Sequence, residues 1–429
     1  MSKPDKAYRK REIAGHALSP ETMMMSYGFD PKLSENSIKA PVFLTSTFAF
    51  DTAEDGAAFF RVMGGKRQAG DPEAAGLMYS RFNNPNVEVL EDRLTLFDGA
   101  EEGVVFSSGM AAISTSILAH AKPGSVILHS SPLYGATENF IRKYMPSTGV
   151  KSVDFFAGAE MDEMTQAAKT AMAAGPVSVI YTETPTNPTN DLVDLVGCVK
   201  LADMIEAEQG SRPIIMTDNT FLGPVGQTPI ELGVDLVIYS LTKYVGGHSD
   251  LIAGGALGSS AVIGPIRALR SMIGTNLDPH TAWMLMRSLE TVKLRMDAAF
   301  ANTRSVAEFL RDHPKVSNVR YLGFLEDGSR NARVHAQQST ADGSTFSFDI
   351  EDGQAGAFRM LNALQVVKLA VSLGGTETLI CHPGSTTHSA VDEDLRERLG
   401  FTAGLVRMSI GLENPDDLIA DLKQALDAV

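Results

Sequence analysis

Short apolar runs alternate with helix-like segments through the middle of the chain, and this alternation constrains the fold more than any other feature. An apolar run at 103–107 leads into an alanine-rich segment at 110–121. Further apolar runs follow at 125–129, 177–182 and 213–217. Strands that alternate with helices build βαβ units around a mainly parallel sheet. The sequence therefore predicts a large α/β domain.

The two ends of the chain differ from this middle part. Residues 1–60 carry little periodicity and are expected to form an N-terminal arm, and a segment at 278–300 rich in Leu, Met, Ala and Arg predicts a long interdomain helix. The last third contains strand-like runs and a terminal amphipathic helix, at 344–350, 366–373, 405–410 and 415–429. We expect three parts, an arm at 1–60, a large domain at 61–300 and a small α+β domain at 301–429.

The charge and composition exclude several classes of protein. The 429 residues include 37 basic and 52 acidic residues, and the net charge of −15 disfavours nucleic acid and anionic membranes as partners. No apolar run reaches the roughly 18 residues that a membrane-spanning helix needs. The first 12 residues are basic and polar and no apolar segment follows them, so we expect no secretory signal and a cytoplasmic location.

Neither the cysteines nor the histidines have the spacing of a metal site. Cys198 and Cys381 lie far apart without a Cys-X-X-Cys pattern, which indicates buried thiols rather than a disulfide or a zinc site. His248, His382 and His388 lie in loop-like segments, where we expect structural hydrogen bonds. The sequence therefore predicts no metal site.

One lysine stands among small hydroxyl residues directly after an apolar run. The run at 234–239 predicts a buried strand, and Ser240, Thr242 and Lys243 follow it before two glycines. Ligands of open α/β sheets bind at the carboxyl ends of the strands. A lysine amine there, flanked by two hydroxyls that suit a phosphate, is what covalent binding of pyridoxal phosphate requires. We therefore predict Lys243 as the catalytic lysine of a pyridoxal phosphate site.

A second strand end carries a carboxylate. The apolar run at 213–217 ends at Asp218, which we expect to lie near Lys243 across the strand ends. A carboxylate in this place keeps the pyridine nitrogen of the cofactor protonated, which makes the ring a better electron acceptor. The alternative is an aspartate that caps a turn. The lysine motif nearby favours the role at the cofactor.

A strand-to-helix junction supplies an anion site. Ser108, Gly109 and Met110 follow the run at 103–107 and begin a helix, whose first backbone N–H groups and dipole favour a phosphate. A Ser-Gly pair in front of a helix is commonly only an N-cap. The hydroxyls of Ser240 and Thr242 are expected to converge on the same phosphate, which strengthens the signal.

Eight motifs point to one protein family. In chain order they are YSRFNNP at 79–85, SSGMAA at 107–112, PLYGAT at 132–137, ETPTNP at 183–188, TDNTF at 217–221, SLTKYVGGHSD at 240–250, SLGGTETLICHPGSTTHS at 372–389 and RMSIGLEN at 407–414. This set, which covers nearly the whole chain, resembles the Cys/Met-metabolism family of pyridoxal phosphate enzymes. The resemblance implies fold type I, the aspartate-aminotransferase-like fold, with a large mainly parallel-sheet domain and a smaller C-terminal α+β domain. It also implies a homotetramer of two catalytic dimers with active sites between subunits.

The resemblance implies roles for residues that would otherwise be placed on the surface. Tyr79 and Arg81 would reach the phosphate of the cofactor in the neighbouring subunit. Tyr134 would stack on the pyridine ring and protonate a leaving group. Asn187 would contact the 3′ oxygen of the cofactor and the carboxylate of the substrate.

Members of the family catalyse different reactions, and the residues that distinguish them lie where the substrate binds. Arg407, helped by Ser372, would bind the substrate carboxylate through its planar guanidinium. Val371 stands where enzymes that act on cystathionine often carry a glutamate, and an apolar side chain suits an uncharged S-methyl group instead. The stretches AVSLGGTETLICHP at 370–383 and NLDPHTAWMLMRSLETVKLRM at 276–296 also resemble the methionine γ-lyases. This resemblance implies γ-elimination of L-methionine or a related sulfur amino acid to 2-oxobutanoate, a thiol and ammonia. Gamma-replacement on O-acetyl- or O-succinylhomoserine and cleavage of cystathionine remain possible reactions.

Two features depart from the family pattern. Ala136 stands where well-known methionine γ-lyases have a cysteine and synthases usually have a glycine. The segment 61–77 is longer than expected between the arm and the Tyr-Ser-Arg motif. Because this segment precedes Tyr79 and Arg81, it is placed to reshape the entrance of the site.

Overall fold

The computed structural model describes residues 9–72, 74–389, 396 and 399–429. The first eight residues of the predicted arm and residue 73 of the 61–77 segment lie outside the described residues. The rest of the arm begins with a hairpin of β1 (Glu12–Ile13) and β2 (His16–Ala17) and ends in a helix, Ala53–Met63, that extends past residue 60.

The middle of the chain forms, within the described residues, a seven-stranded sheet. Its strands are β3 (Glu102–Phe106), β4 (Val126–Ser131), β5 (Lys151–Phe156), β6 (Val177–Glu183), β7 (Ile214–Asp218), β8 (Leu236–Ser240) and β9 (Gly254–Gly258). Their order is β3-β9-β8-β7-β6-β4-β5, with β9 antiparallel to both of its neighbours. Successive residues such as Val104 and Val105 face two different cores, because helices cover both faces of the sheet.

Helices connect these strands and cover the sheet. Those of eight or more residues are Ala53–Met63, Pro85–Asp98, Gly109–His120, Met161–Ala174, Leu195–Gln209, Ser260–Ile273, Pro279–Leu289, Val292–Arg311, Arg330–Gln338, Gly353–Ala363 and Pro415–Leu426. Shorter α-helices are Pro20–Met24, Gly135–Asn139 and Gly223–Gly226. Among the described residues, no helix is long and apolar enough to cross a bilayer.

A smaller sheet follows the large one. In the described part of the chain it has five strands, β10 (Val316–Arg320), β11 (Thr345–Ile350), β12 (Lys368–Leu369), β13 (Leu379–Cys381) and β14 (Leu405–Ser409). Their order is β10-β11-β14-β13-β12, and all neighbours are antiparallel except β12 and β13. The large, mainly parallel sheet and the smaller sheet domain confirm the α/β architecture predicted from the sequence, whereas the boundaries at residues 60 and 300 stay a prediction.

Two elements differ from their sequence prediction. The single helix expected at 278–300 is two helices, Pro279–Leu289 and Val292–Arg311, because the backbone leaves the helical conformation at Thr291. The second helix still joins the two cores, since its first turns pack in the large core and its last turns in the small one. The strand expected at 366–373 is only Lys368–Leu369, because the chain then leaves the sheet and Ser372 adopts a φ of 109°.

Candidate functional site

A cavity of about 440 Å³ lies at the carboxyl ends of the parallel strands. Its lining includes all but two of the residues predicted from the sequence: Ser108, Gly109, Met110, Tyr134, Asn187, Asp218, Ser240, Thr242, Lys243, Val371, Ser372 and Arg407. The exceptions are Tyr79 and Arg81. A volume of this size lies within the range of small-molecule sites, roughly 300 to 1,000 Å³.

The register of the sheet brings the chemical groups together. Glu183, the last residue of β6, pairs with Asp218, the last residue of β7. Asp218 in turn pairs with Ile238 of β8, two residues before Ser240. Because parallel strands end at the same edge, three consecutive strands deliver their polar ends to one cavity.

Lys243 lies in the turn after β8 and reaches across the cavity. Its Nζ donates a hydrogen bond to Ser372 Oγ at 2.7 Å, so the lysine contacts a segment 129 positions away in the sequence. Burial, and secondarily the positive charge of Arg407, lower the pKa of Lys243 to about 8. The amine is therefore easier to deprotonate than an ordinary lysine.

This shifted pKa leads to a testable pH dependence. In the cofactor-free protein, acetylation of Lys243 by acetic anhydride is expected to rise with pH and reach half its maximal rate near pH 8, because only the neutral amine reacts and its pKa is about 8. Quantitative peptide mass spectrometry measures the rate. In an Arg407→Met variant the midpoint should move upward, because one cause of the shift is removed. A wild-type midpoint near the ordinary lysine value of about 10.4 would contradict the prediction.

Two carboxyl groups, at the paired ends of β6 and β7, line the same cavity as the lysine. Burial raises the pKa of Asp218, although its Oδ1 accepts a hydrogen bond from Thr220 N at 3.0 Å. Burial and then the charge of Asp218 raise the pKa of Glu183 well above the usual range. Two buried carboxylates this close resist double ionisation, so the pair retains a proton more readily than isolated carboxyls do.

Glu183 belongs to one of the eight sequence motifs, but the sequence predicted no role for it. A signal was available, because it is a carboxylate that ends an apolar run, as Asp218 is. The sequence gives no indication of its partners, which lie on two separate turns. Its Oε2 accepts from Tyr134 N at 2.7 Å and its Oε1 accepts from Asn187 N at 3.3 Å.

The start of helix Gly109–His120 forms a close-fitting anion site. Ser108 caps this helix by accepting a hydrogen bond from Ala111 N at 3.0 Å. A Cβ atom at Gly109 would lie 3.0 Å from Ser240 Cβ, and one at Gly254 would lie 2.1 Å from Ser108 O. The two glycines therefore let the helix N-terminus approach β8 and β9, which brings its N–H groups to the hydroxyls predicted to bind phosphate.

Arg407 lies buried on β14, on the small-sheet side of the cavity. Its Nη1 donates to Asn187 Oδ1 at 3.0 Å and its Nη2 donates to Ser372 O at 2.9 Å. Ser372 thus contacts both the arginine and Lys243, in a backbone conformation that favours glycine. This arrangement fixes a guanidinium at the cavity, where its planar fork suits a carboxylate.

Tyr79 and Arg81 do not share this cavity within one chain. They line a second cavity of about 480 Å³, where Tyr79 is 41% exposed. Arg81 Nη1 donates to Ser271 O at 2.5 Å, and its guanidinium carbon lies 4.5 Å from the centre of the Phe82 ring. Their predicted role toward a neighbouring subunit stays a prediction.

The three loop histidines hydrogen-bond to backbone carbonyls or to a neighbouring hydroxyl. His248 Nδ1 donates to Gly246 O at 2.7 Å, and His382 Nε2 donates to Ala403 O at 2.9 Å. His388 Nδ1 lies 2.8 Å from the hydroxyl of its neighbour. Over the residues that the structure describes, no group of three or more His, Cys, Asp or Glu side chains is arranged to hold a metal ion.

Comparison with known proteins extends over nearly the whole chain. The sequence model of the family described as "Cys/Met metabolism PLP-dependent enzyme" matches residues 21–427. The chain is 39% identical over 409 residues to an L-methionine gamma-lyase of Pseudomonas putida, with 95% of this chain and 97% of the relative covered. It is 33% identical over 388 residues to an O-succinylhomoserine sulfhydrylase of Pseudomonas aeruginosa, with 90% of each covered. The crystal structure of cystathionine gamma-lyase from Lactobacillus plantarum, complexed with L-serine, matches with a TM-score of 0.83 and 29% identity over 96% of this chain and 98% of that chain. The predicted fold type I is thereby confirmed.

Proposed function

The chain belongs to the family of Cys/Met metabolism PLP-dependent enzymes, and from this premise we propose that it is a carbon–sulfur lyase acting by γ-elimination. Its substrates are L-methionine, or a related sulfur amino acid, and water, and its products are 2-oxobutanoate, a thiol and ammonia. The similarity to an L-methionine gamma-lyase over 95% of the chain supports this assignment.

The cavity residues fit pyridoxal phosphate, the cofactor of the family. The helix N-terminus at Ser108 and Gly109, together with the hydroxyls of Ser240 and Thr242, would hold the phosphate. The helix N-terminus lies close to Ser240, because a Cβ atom at Gly109 would have no room against this serine. Three further side chains would hold the ring: Asp218 at the pyridine nitrogen, Tyr134 against the ring face and Asn187 at the 3′ oxygen. Lys243 would bind the cofactor covalently.

Lys243 carries the proton transfers in the proposed reaction. When bound, pyridoxal phosphate supplies an electron sink for the negative charge left on the substrate. Lys243 Nζ removes the proton from the substrate α-carbon and then moves a proton from the β-carbon. Its pKa of about 8 places the amine close to the optimum for a general base at neutral pH. Its hydrogen bond to Ser372 Oγ keeps the amine on the substrate side of the cavity.

Two further residues orient the substrate and assist the leaving group. Arg407 binds the α-carboxylate with Asn187 beside it, since the two side chains are already joined by a hydrogen bond of 3.0 Å. Tyr134 Oη protonates the departing sulfur. The hydrogen bond from Tyr134 N to Glu183 Oε2 holds the turn that carries this ring.

Apolar side chains at the mouth of the cavity are the observation that supports methionine as the substrate. Val371 lines the cavity and is 53% exposed, and Ile252 lines it and is 66% exposed. An uncharged thioether tail gains from contact with such side chains, whereas a distal ammonium group would need a charged partner there. The proposal therefore favours methionine over cystathionine.

A substrate panel tests the proposed reaction. Purified protein loaded with cofactor is incubated with L-methionine, and 2-oxobutanoate and the thiol are quantified. The same protein is incubated with O-acetyl- or O-succinylhomoserine and a thiol, and thioether formation is quantified. Release of 2-oxobutanoate and methanethiol from methionine supports the proposal; thioether formation as the sole activity would overturn it.

Gamma-replacement is the second candidate function. The similarity to an O-succinylhomoserine sulfhydrylase, at 33% identity over 90% of the chain, supports it. Both reactions would use the same lysine and the same cofactor. They differ after the substituent on the γ-carbon has left: elimination releases 2-oxobutanoate, whereas replacement adds a thiol to the substrate. Cystathionine cleavage, the activity in the name of the L. plantarum structure, is the third candidate.

A Val371→Glu substitution at the cavity mouth is expected to change the preference of the enzyme between L-methionine and cystathionine. It should lower kcat/KM for L-methionine by about 10-fold or more, because a carboxylate replaces an apolar contact, and should raise turnover of cystathionine, whose ammonium group it can pair with. Steady-state kinetics on both substrates measure the change. Val371→Leu is the matched control and should retain methionine turnover within about 3-fold, because the site stays apolar. Equal methionine kinetics in the Glu variant would refute the role of Val371.

We also propose that the active unit is a dimer, two of which form the homotetramer. Leu44 lines the second cavity beside Tyr79, and Met272 and Ile273 follow the residue that accepts the hydrogen bond from Arg81. All three apolar side chains are exposed in the single chain. Apolar surface next to two predicted phosphate-binding residues favours a second copy of the chain as the covering partner.

A further inference from the structure

Glu183 occupies an unusual place between two turns of the cavity wall. It is 5% exposed and ends strand β6. One of its carboxylate oxygens accepts the backbone N–H of Tyr134, and the other accepts the backbone N–H of Asn187. The two turns leave different strands, β4 and β6, so a single side chain joins two segments that are 53 positions apart (134 to 187).

We propose that Glu183 is a positioning residue, which holds the Tyr134 ring and the Asn187 amide in place for the reaction by tying their backbones to one carboxylate. This inference rests on the proposed function, because it assigns Tyr134 and Asn187 to the cofactor and the substrate. A shift of either backbone moves its side chain within the cavity, and reaction rates are sensitive to such displacements.

The electrostatics of Glu183 differ from those of a carboxylate that only braces loops. Asp421, in the small domain, provides the comparison. It is also 5% exposed and accepts backbone N–H groups from Gln365, Val366 and Val367 at 2.9, 2.8 and 2.9 Å. Burial works to raise the pKa of Asp421, but the three donors outweigh it and the pKa is lowered.

Glu183, in contrast, is placed where its charge is disfavoured. Its pKa is raised by burial and by Asp218, its partner in the register of β6 and β7. A carboxylate is nonetheless present, next to the group assigned to the pyridine nitrogen, and this favours a role tied to the cavity rather than to folding alone.

Substitutions at Glu183 test this role in the full-length protein loaded with cofactor. Glu183→Gln keeps the shape but loses one of the two hydrogen bonds, because its amide nitrogen cannot accept. It should lower kcat about 10-fold, and Glu183→Ala, which loses both, about 100-fold. Both variants should also change the visible circular dichroism of the bound cofactor, which reports the ring packed against it. Asp421→Asn is the matched control and should lower the Tm while kcat and the visible spectrum stay at wild-type values.

A double-mutant cycle separates positioning from bracing. If Glu183 acts through Tyr134, Glu183→Ala should lower kcat by no more than about 10-fold in a Tyr134→Ala background, because the ring is already gone and only the Asn187 amide is left to be displaced. A full loss in that background would overturn the action through Tyr134. A reduced Tm with wild-type kcat and visible spectrum in Glu183→Gln would overturn the proposal as a whole.

The outcomes distinguish this inference from the proposed function. If wild-type protein binds the cofactor but does not release 2-oxobutanoate from methionine, the proposed reaction fails. The visible circular dichroism of the Glu183 variants still decides whether this carboxylate positions the cavity wall. Unchanged spectra in those variants, alongside an active wild-type enzyme, would reject the role proposed for Glu183 and leave the proposed function standing.

Discussion

Replacement of Lys243 by alanine is expected to abolish both turnover and the visible absorbance of bound cofactor. In the proposed reaction the same amine binds the cofactor and moves the protons, so both functions should be lost together. We expect kcat to fall by about 10⁴-fold or more, the upper range for loss of a general acid–base group. Steady-state kinetics and an absorbance spectrum of the purified variant measure the two effects.

The fold should survive this substitution. Lys243 follows strand β8 and its side chain points to the cavity, where it donates to Ser372 Oγ. Thermal unfolding should therefore show a cooperative transition in the variant. Lys169→Ala is a suitable control, since Lys169 lies exposed on helix Met161–Ala174 and should leave both readouts unchanged. Turnover and wild-type absorbance in Lys243→Ala would contradict the assignment of this lysine.

Mixing two inactive variants is expected to restore activity if active sites are shared between subunits. Lys243→Ala lacks the lysine proposed to bind the cofactor, and Arg81→Ala lacks the arginine predicted to reach the neighbour's phosphate. In a mixed dimer, one of the two sites receives an intact Lys243 from one chain and an intact Arg81 from the other. With random pairing, half of the dimers are mixed and half of their sites are complete, so about a quarter of wild-type activity should return.

The chain offers a matched control for this mixing experiment. Asp218 and Lys243 line the same cavity of one chain. Mixing Asp218→Asn with Lys243→Ala therefore leaves every site defective and should restore nothing. Each mixture is refolded together from denaturant, and subunit exchange is verified by native mass spectrometry. Absence of recovery in the Lys243 and Arg81 mixture, with mixed dimers present, would refute the shared site.

Much of the candidate site could be predicted because its residues stand next to strong local signals. Lys243 and Asp218 follow apolar runs, and Ser108 precedes a helix, so each is placed at a strand end or a helix start by neighbouring residues alone. The resemblance to the family added residues without such signals, among them Tyr134 and Arg407. Family, fold and cofactor are confirmed by the comparisons, whereas the roles of individual site residues stay predictions.

Other features could not be predicted because they depend on contacts between distant parts of the chain. The helix expected at 278–300 is broken, and Arg295 next to the break donates to Ser288 O and to Tyr244 O in the turn that carries the lysine. Hydrophobic periodicity continues across such a break and does not reveal it. The apolar run at 366–373 likewise predicts a strand throughout and does not reveal that the chain has left the small sheet at Ser372.

By itself, the sequence determined the alternation of strands and helices and which polar residues end the strands, because both follow from neighbours along the chain. Only the tertiary structure decided which of those residues meet. Lys243 reaches Ser372 across 129 positions, and Glu183 joins Tyr134 to Asn187 only because β4 and β6 are neighbours in the sheet. Strand order and register arise from packing of the whole core, and a contact between distant residues leaves no trace in the local pattern of either one.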